Sequence, residues 1–175
     1  MKKPSTKWIV IAIVLLVLVV IGKTLPEEKQ PISEVNKVES KAIPGAMPVD
    51  VYLNLEKAGY NVDKELGSEG NLWVCTKDDY AINYNVTLFS EDVGTIESVR
   101  ATAMITGKEQ KKAIALKPFI SYVATLPYTN SDAETIKQWV NENFDKDQST
   151  VIIAKVKFTM YAKTPFIRML TIEKA

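Results

Sequence analysis

From Ile82 to Leu88 every second residue is apolar (Ile82, Tyr84, Val86, Leu88), and Asn83, Asn85 and Thr87 stand between them. A β-strand sends successive side chains to opposite faces, so this stretch can be buried on one side only. The same alternation returns at Val99, Ala101, Ala103 and Ile105. It returns again at Ile152, Ala154, Val156, Phe158 and Met160, set against Lys155, Lys157 and Thr159. Repeated period-two patterning demands an antiparallel sheet with one face on a core and the other polar.

The segments between these runs have helical spacing. Pro48 opens a helix with Val51, Leu55 and Ala58 on one stripe and Gly59 as its stop. Residues 111–126 place Ala113, Leu116, Ile120 and Val123 on another stripe, which Pro118 must kink or divide. A third stripe, Ala133, Ile136, Val140 and Phe144, follows a capping box of Ser131 with Glu134. Further strands are predicted at 72–76, with a turn at Lys77–Asp79, and at 166–174. The predicted order is α-β-β-β-α-α-β-β, an α+β domain with a mainly antiparallel five-stranded sheet and helices on one face.

Ahead of the domain, Ile9 to Ile21 are thirteen consecutive apolar residues. Gly22-Lys23-Thr24 at their end imitates a phosphate-binding loop, but position 17, where that loop needs glycine, is Val17. The run is short for a membrane span. With Trp8 and the stems of Lys7 and Lys23 it reaches the required length, and residues 8–25 are read as a single-pass transmembrane signal anchor. Lys2, Lys3 and Lys7 precede it and Glu27 and Glu28 follow, which puts residues 1–7 in the cytoplasm and the domain outside the cell membrane. The alternative is a secreted chain, cleaved near Gly22. Residues 26–47, with prolines and alternating charge, read as a linker, and 48–175 as the extracytoplasmic domain.

Charge and residue content exclude several functions. Residues 1–25 hold four lysines and no acid, leaving eighteen basic against twenty-one acidic residues beyond them, a net charge of −3. Such a domain has no basic footprint for nucleic acid. The chain has no histidine, which removes Ser/His/Asp and Cys/His machinery and the usual zinc sites. Cys75, the one cysteine, lies in an apolar run and reads as a core thiol. Asp145 to Thr150 imitates a calcium loop but has Thr150 in place of glycine and Val156 in place of the closing glutamate. The sequon Asn85-Val86-Thr87 has no use in a protein whose short basic start is of bacterial kind. No cofactor, metal or nucleotide is expected.

Two acid pairs, Asp78/Asp79 and Glu91/Asp92, could serve a carboxylate-dependent hydrolase only if burial raised one member of a pair, and both are predicted in turns. Trp73, Trp139, Tyr80, Tyr84, Tyr122 and Tyr128 read as core or rim. What is left is the polar face of the sheet. Arg100, mid-strand opposite the alanines, would share that face with Asn83, Asn85, Lys155 and Lys157. The expectation is a membrane-anchored, non-catalytic binding or accessory domain that uses these five residues to engage an envelope protein, a peptide or a small ligand. Its rival is a structural subunit of a membrane complex.

Overall fold

The structure, a computed structural model, describes residues 39–67, 70–106 and 113–175. Residues 1–7, expected in the cytoplasm, the expected anchor 8–25 and residues 26–38 of the linker lie outside the described residues. None of the described helices is long and apolar enough to cross a membrane.

Residues Ser40–Ala175 form one compact unit, a mixed α+β domain built on a single antiparallel sheet. Helix α1 (Pro48–Lys57) leads to strands β1 (Asn61–Gly67), β2 (Gly70–Asp79), β3 (Ile82–Ser90) and β4 (Ser98–Ile105). A 3-10 turn at Ala113–Leu116 enters α2 (Lys117–Ala124), then come α3 (Ala133–Asn143), β5 (Gln148–Ile153), β6 (Val156–Thr164) and β7 (Ile167–Lys174). The sheet order is β1-β2-β3-β4-β7-β6-β5, every neighbouring pair antiparallel. Two meanders thus meet where β4 pairs with β7, and the helices α2 and α3 make the connection between them.

Seven strands stand where the patterning predicts five, for two physical reasons. Strand β1, NVDKELG, is an edge strand exposed at all but one position, so it carries no apolar alternation and is held by its backbone pairing to β2. The single strand predicted through Ile152–Met160 is two strands joined by a two-residue turn at Ala154-Lys155. Both of those residues have positive φ, 49° and 66°, as a tight hairpin turn requires, and neither is the glycine or asparagine that usually signals one. In such a hairpin Ile153 pairs with Val156, so the inward parity switches from odd positions in β5 to even positions in β6. Ile152 and Ala154, predicted inward, are therefore exposed, Ile152 by 62%.

Other boundaries move less. The turn predicted at Lys77–Asp79 lies at Tyr80-Ala81, because β2 continues to Asp79 and pairs there with Ile82. The cap of α3 is Asp132, whose Oδ1 accepts from Thr135 N at 3.0 Å, rather than Ser131. The domain also begins before Pro48: Ile43 and Ala46 are buried, Ile43 N donates to Ile96 O, and Pro44 O accepts from Thr129 N.

The inward parity gathers one core. Trp73 and Cys75 of β2 lie level with Leu88 and Val86 of β3, and these with Val99 and Ala101 of β4. Leu170 and Ile172 of β7 and Phe158 and Met160 of β6 extend the row. All are essentially without solvent contact. Leu55 of α1, Ile120 of α2 and Ile136 and Val140 of α3 join the same cluster. Ala101 and Ala103 lack bulk beyond Cβ, and α2 packs against β4 where they lie. The opposite parity is that of Thr76, Asn85, Thr102, Met169 and Tyr161, residues that are half-exposed and outside the core cluster.

Candidate functional site

Four of the five residues proposed from the sequence share this outer face. Asn83 and Asn85 lie on β3, Arg100 on β4 and Lys157 on β6, all at outward parity. Lys155 does not join them. It occupies the β5–β6 turn, fully clear of the sheet surface, for the reason given above.

The register sets their neighbours. Arg100 stands directly between Thr87 of β3 and Thr171 of β7, and that row continues to Thr159 and Thr150. Asn85 faces Thr102, one step along β4 from the arginine's flank, and Asn83 faces Met104. Thr87 Oγ1 donates to Asn85 Oδ1 at 3.0 Å, and Thr106 Oγ1 donates to Asn83 Oδ1 at 3.1 Å. The side-chain N–H donors of both asparagines make no hydrogen bond among the described residues. Lys157 is engaged already: its ammonium lies 2.5 Å from Glu173 Oε1, an ion pair that raises the lysine's pKa through that hydrogen bond and the neighbouring charge.

Arg100 makes no hydrogen bond or ion pair among the described residues, and it is exposed. Unlike Lys157, it is left available. Guanidinium offers five donors in a rigid fork, and hydroxyls at Thr87 and Thr171 flank it, so the arrangement suits a carboxylate or another planar acceptor.

The acid pairs have the solvated setting of a surface. Asp78 and Asp79 are exposed and, as adjacent strand residues, point to opposite faces. Glu91 pairs loosely with Lys41 at 3.5 Å, and Asp92 Oδ1 accepts from Gly94 N within its turn.

A second feature lies on the covered side, at the end of the sheet near the β2–β3 turn. Tyr60, Tyr84, Phe119 and Tyr122, with Lys77 and Asp79, line an open cleft of about 310 Å³. Tyr60 and Phe119 stack with centroids 6.3 Å apart, and Tyr84 tilts against Phe119 at 4.9 Å. Lys77 lies over the Tyr60 ring at 5.4 Å and donates to Ala58 O. Burial, with Tyr84, Tyr122 and Cys75 nearby, pushes the Tyr60 phenol up to about 12, and burial with Asp79 nearby raises Tyr84. The hydroxyls of Tyr60, Tyr84 and Tyr122 make no hydrogen bond among the described residues. The sequence pattern marks Tyr84 and Tyr122 only as core or rim and does not single out Tyr60 or Phe119. No local pattern joins them, because the α1–β1 connection, β3 and α2 bring them together from distant parts of the chain.

Compared with known protein families, curated proteins and solved structures, the chain matches none. Its functional reading therefore rests on the geometry above.

Proposed function

We infer that this chain is a membrane-anchored, extracytoplasmic binding or accessory domain that does no catalysis and engages an envelope protein or peptide through the uncovered face of its sheet. The observation that carries this reading is Arg100: an exposed guanidinium with no hydrogen bond or ion pair among the described residues, placed mid-sheet between two threonines, on a face where Lys157 is already neutralised by Glu173. A partner that presents a carboxylate to this face gains a charge-assisted hydrogen bond, set against the rotamer entropy of ordering the arginine side chain. The anchor at residues 8–25 would hold the domain against the membrane. Its orientation is tested by protease access to a C-terminal tag in intact and permeabilised cells, where cleavage only after the inner membrane is opened would reverse it.

The binding reading is tested in cells by a photo-crosslinking side chain at Thr102, on the outer face, and at Glu56, on the exposed side of α1. The Thr102 position should yield a specific adduct that Arg100→Glu abolishes, while the melting temperature stays within about 1 °C, as surface substitutions do. A lower melting temperature would make Arg100 a structural residue, and an adduct indifferent to it would remove the site. The phenol hydroxyls left without protein partners favour a second reading, a small ligand in the cleft. That ligand would be lost on Tyr122→Ala and kept on Arg100→Glu.

A further inference from the structure

An open sheet has two edges, and this one treats them differently. On β1 the edge residues include Asp63, Lys64 and Glu65, charges of the kind that discourage pairing with another strand. On β5 the edge is Gln148–Ile153, QSTVII, with no charged residue, four β-branched residues in succession after Ser149, and Ile152 exposed by 62%. No strand pairs with the outer side of β5 among the described residues.

The hydrogen-bond pattern shows which groups this edge offers. Ala162 N donates to Asp147 O at 3.0 Å, which extends the β5–β6 register by one bonded pair. Bonded and non-bonded pairs alternate in an antiparallel ladder, so Ser149, Val151 and Ile153 turn their N–H and C=O toward β6. Those of Gln148, Thr150 and Ile152 therefore point away from the sheet. Each needs a partner or water.

We propose that the chain pairs with a second copy of itself, edge to edge through β5, with Thr150 on the twofold axis. Faces must be kept and outward groups must meet outward groups, which leaves few registers. With Thr150 opposite its own copy and Gln148 opposite Ile152, all three outward residues of each strand are paired. Moving the axis to Val151 pairs only two of them. The Thr150 register also sets Asp147 of the second copy, which is exposed, opposite Ile153 and so next to the turn where Lys155 is exposed and without an ion pair among the described residues. Two such crossings are made about the axis, a charge match that an isologous contact repeats. Both outer faces, each with its Arg100, then form one continuous surface.

The test is cross-linking of the full-length chain in membranes. Cys75 is buried and its thiol is pushed up to about 11, so it stays out of the reaction. Thr150→Cys, oxidised with copper phenanthroline, should give a band of twice the chain mass, and Asp63→Cys on the other edge should not. Lys155→Glu should cut the Thr150→Cys band roughly fivefold, and mixing Lys155→Glu chains with Asp147→Lys chains should restore it as a heterodimer. If Thr150→Cys folds poorly, a chain carrying Gln148→Cys with Ile152→Cys should give the same dimer. A monomeric Thr150→Cys chain of native melting temperature overturns the proposal. So does a cross-link to a protein of another mass, or a band no stronger than that of Asp63→Cys.

Discussion

Arg168 offers the sharpest test of how this domain is held together. It is a strand residue of β7 at inward parity, 4% exposed, where the next residues of that parity are Leu170 and Ile172. Its Nε donates to Phe144 O at 2.9 Å, its Nη1 to Thr164 O at 2.8 Å and to Ile167 O at 3.0 Å, and its Nη2 to Asp145 Oδ1 at 2.6 Å. The guanidinium also lies over the Phe144 ring at 4.9 Å. It thus closes the C-terminal end of α3, where a carbonyl without a helical partner faces the core, and ties that end to the β6–β7 turn.

The contacts are unequal. Asp145 is 75% exposed in its side chain and recovers water when the arginine is lost, so the ion pair itself contributes less than about 1 kcal/mol. Thr164 and Ile167 are exposed and recover water too. The Phe144 carbonyl belongs to a residue 1% exposed and has no such substitute. A bond from a charged donor to it is worth roughly 1.5–3 kcal/mol. With the turn contacts added, Arg168→Met should cost about 3–4 kcal/mol, the methionine retaining most of the apolar packing. In a domain of this size that lowers the melting temperature by roughly 10 °C. Asp145→Asn should cost less than about 1 kcal/mol. Urea unfolding followed by tryptophan fluorescence reads both, provided the slope is unchanged. If Asp145→Asn costs as much as Arg168→Met, or Arg168→Met is nearly neutral, the ranking of contacts is wrong.

Two further predictions concern the turn and the tyrosines. Replacing Ala154-Lys155 by Asn-Gly, the pair suited to positive φ at both positions, should raise stability by about 1 kcal/mol in the same urea assay, and no gain would mean the turn is not of that geometry. Tyr60, held near 12, and Cys75, held near 11, have folded values above their unfolded ones of 10.0 and 9.0, as Tyr84 does in direction. Their contribution is whole below pH 9 and is lost as pH rises through 12. The melting temperature should be flat to about pH 9 and fall above it, less steeply in Tyr60→Phe; an unchanged slope in that variant would show that the phenol is not buried enough to matter.

Much of this domain was legible because its core obeys two periods. Val86, Leu88, Val99, Ala101 and Ala103 alternate with polar residues, and Leu55, Ile120, Ile136 and Val140 recur at helical spacing, so their burial follows from local pattern and the hydrophobic effect. The outward placement of Arg100, Asn83 and Asn85 follows from the same parity. Strand β1 was invisible because an edge strand with exposed faces needs only backbone partners, and those belong to β2. The β5–β6 hairpin was invisible because Ala154 and Lys155 accept positive φ only under the constraint of the paired strands around them. That one turn moved Lys155 off the sheet face and turned Ile152 outward. Which strands become neighbours, and hence that Thr171 flanks Arg100, that Arg168 reaches the end of α3 and that β5 is an edge, is decided by pairings between residues far apart in the chain. No local propensity encodes these, because they depend on the whole sheet assembling at once.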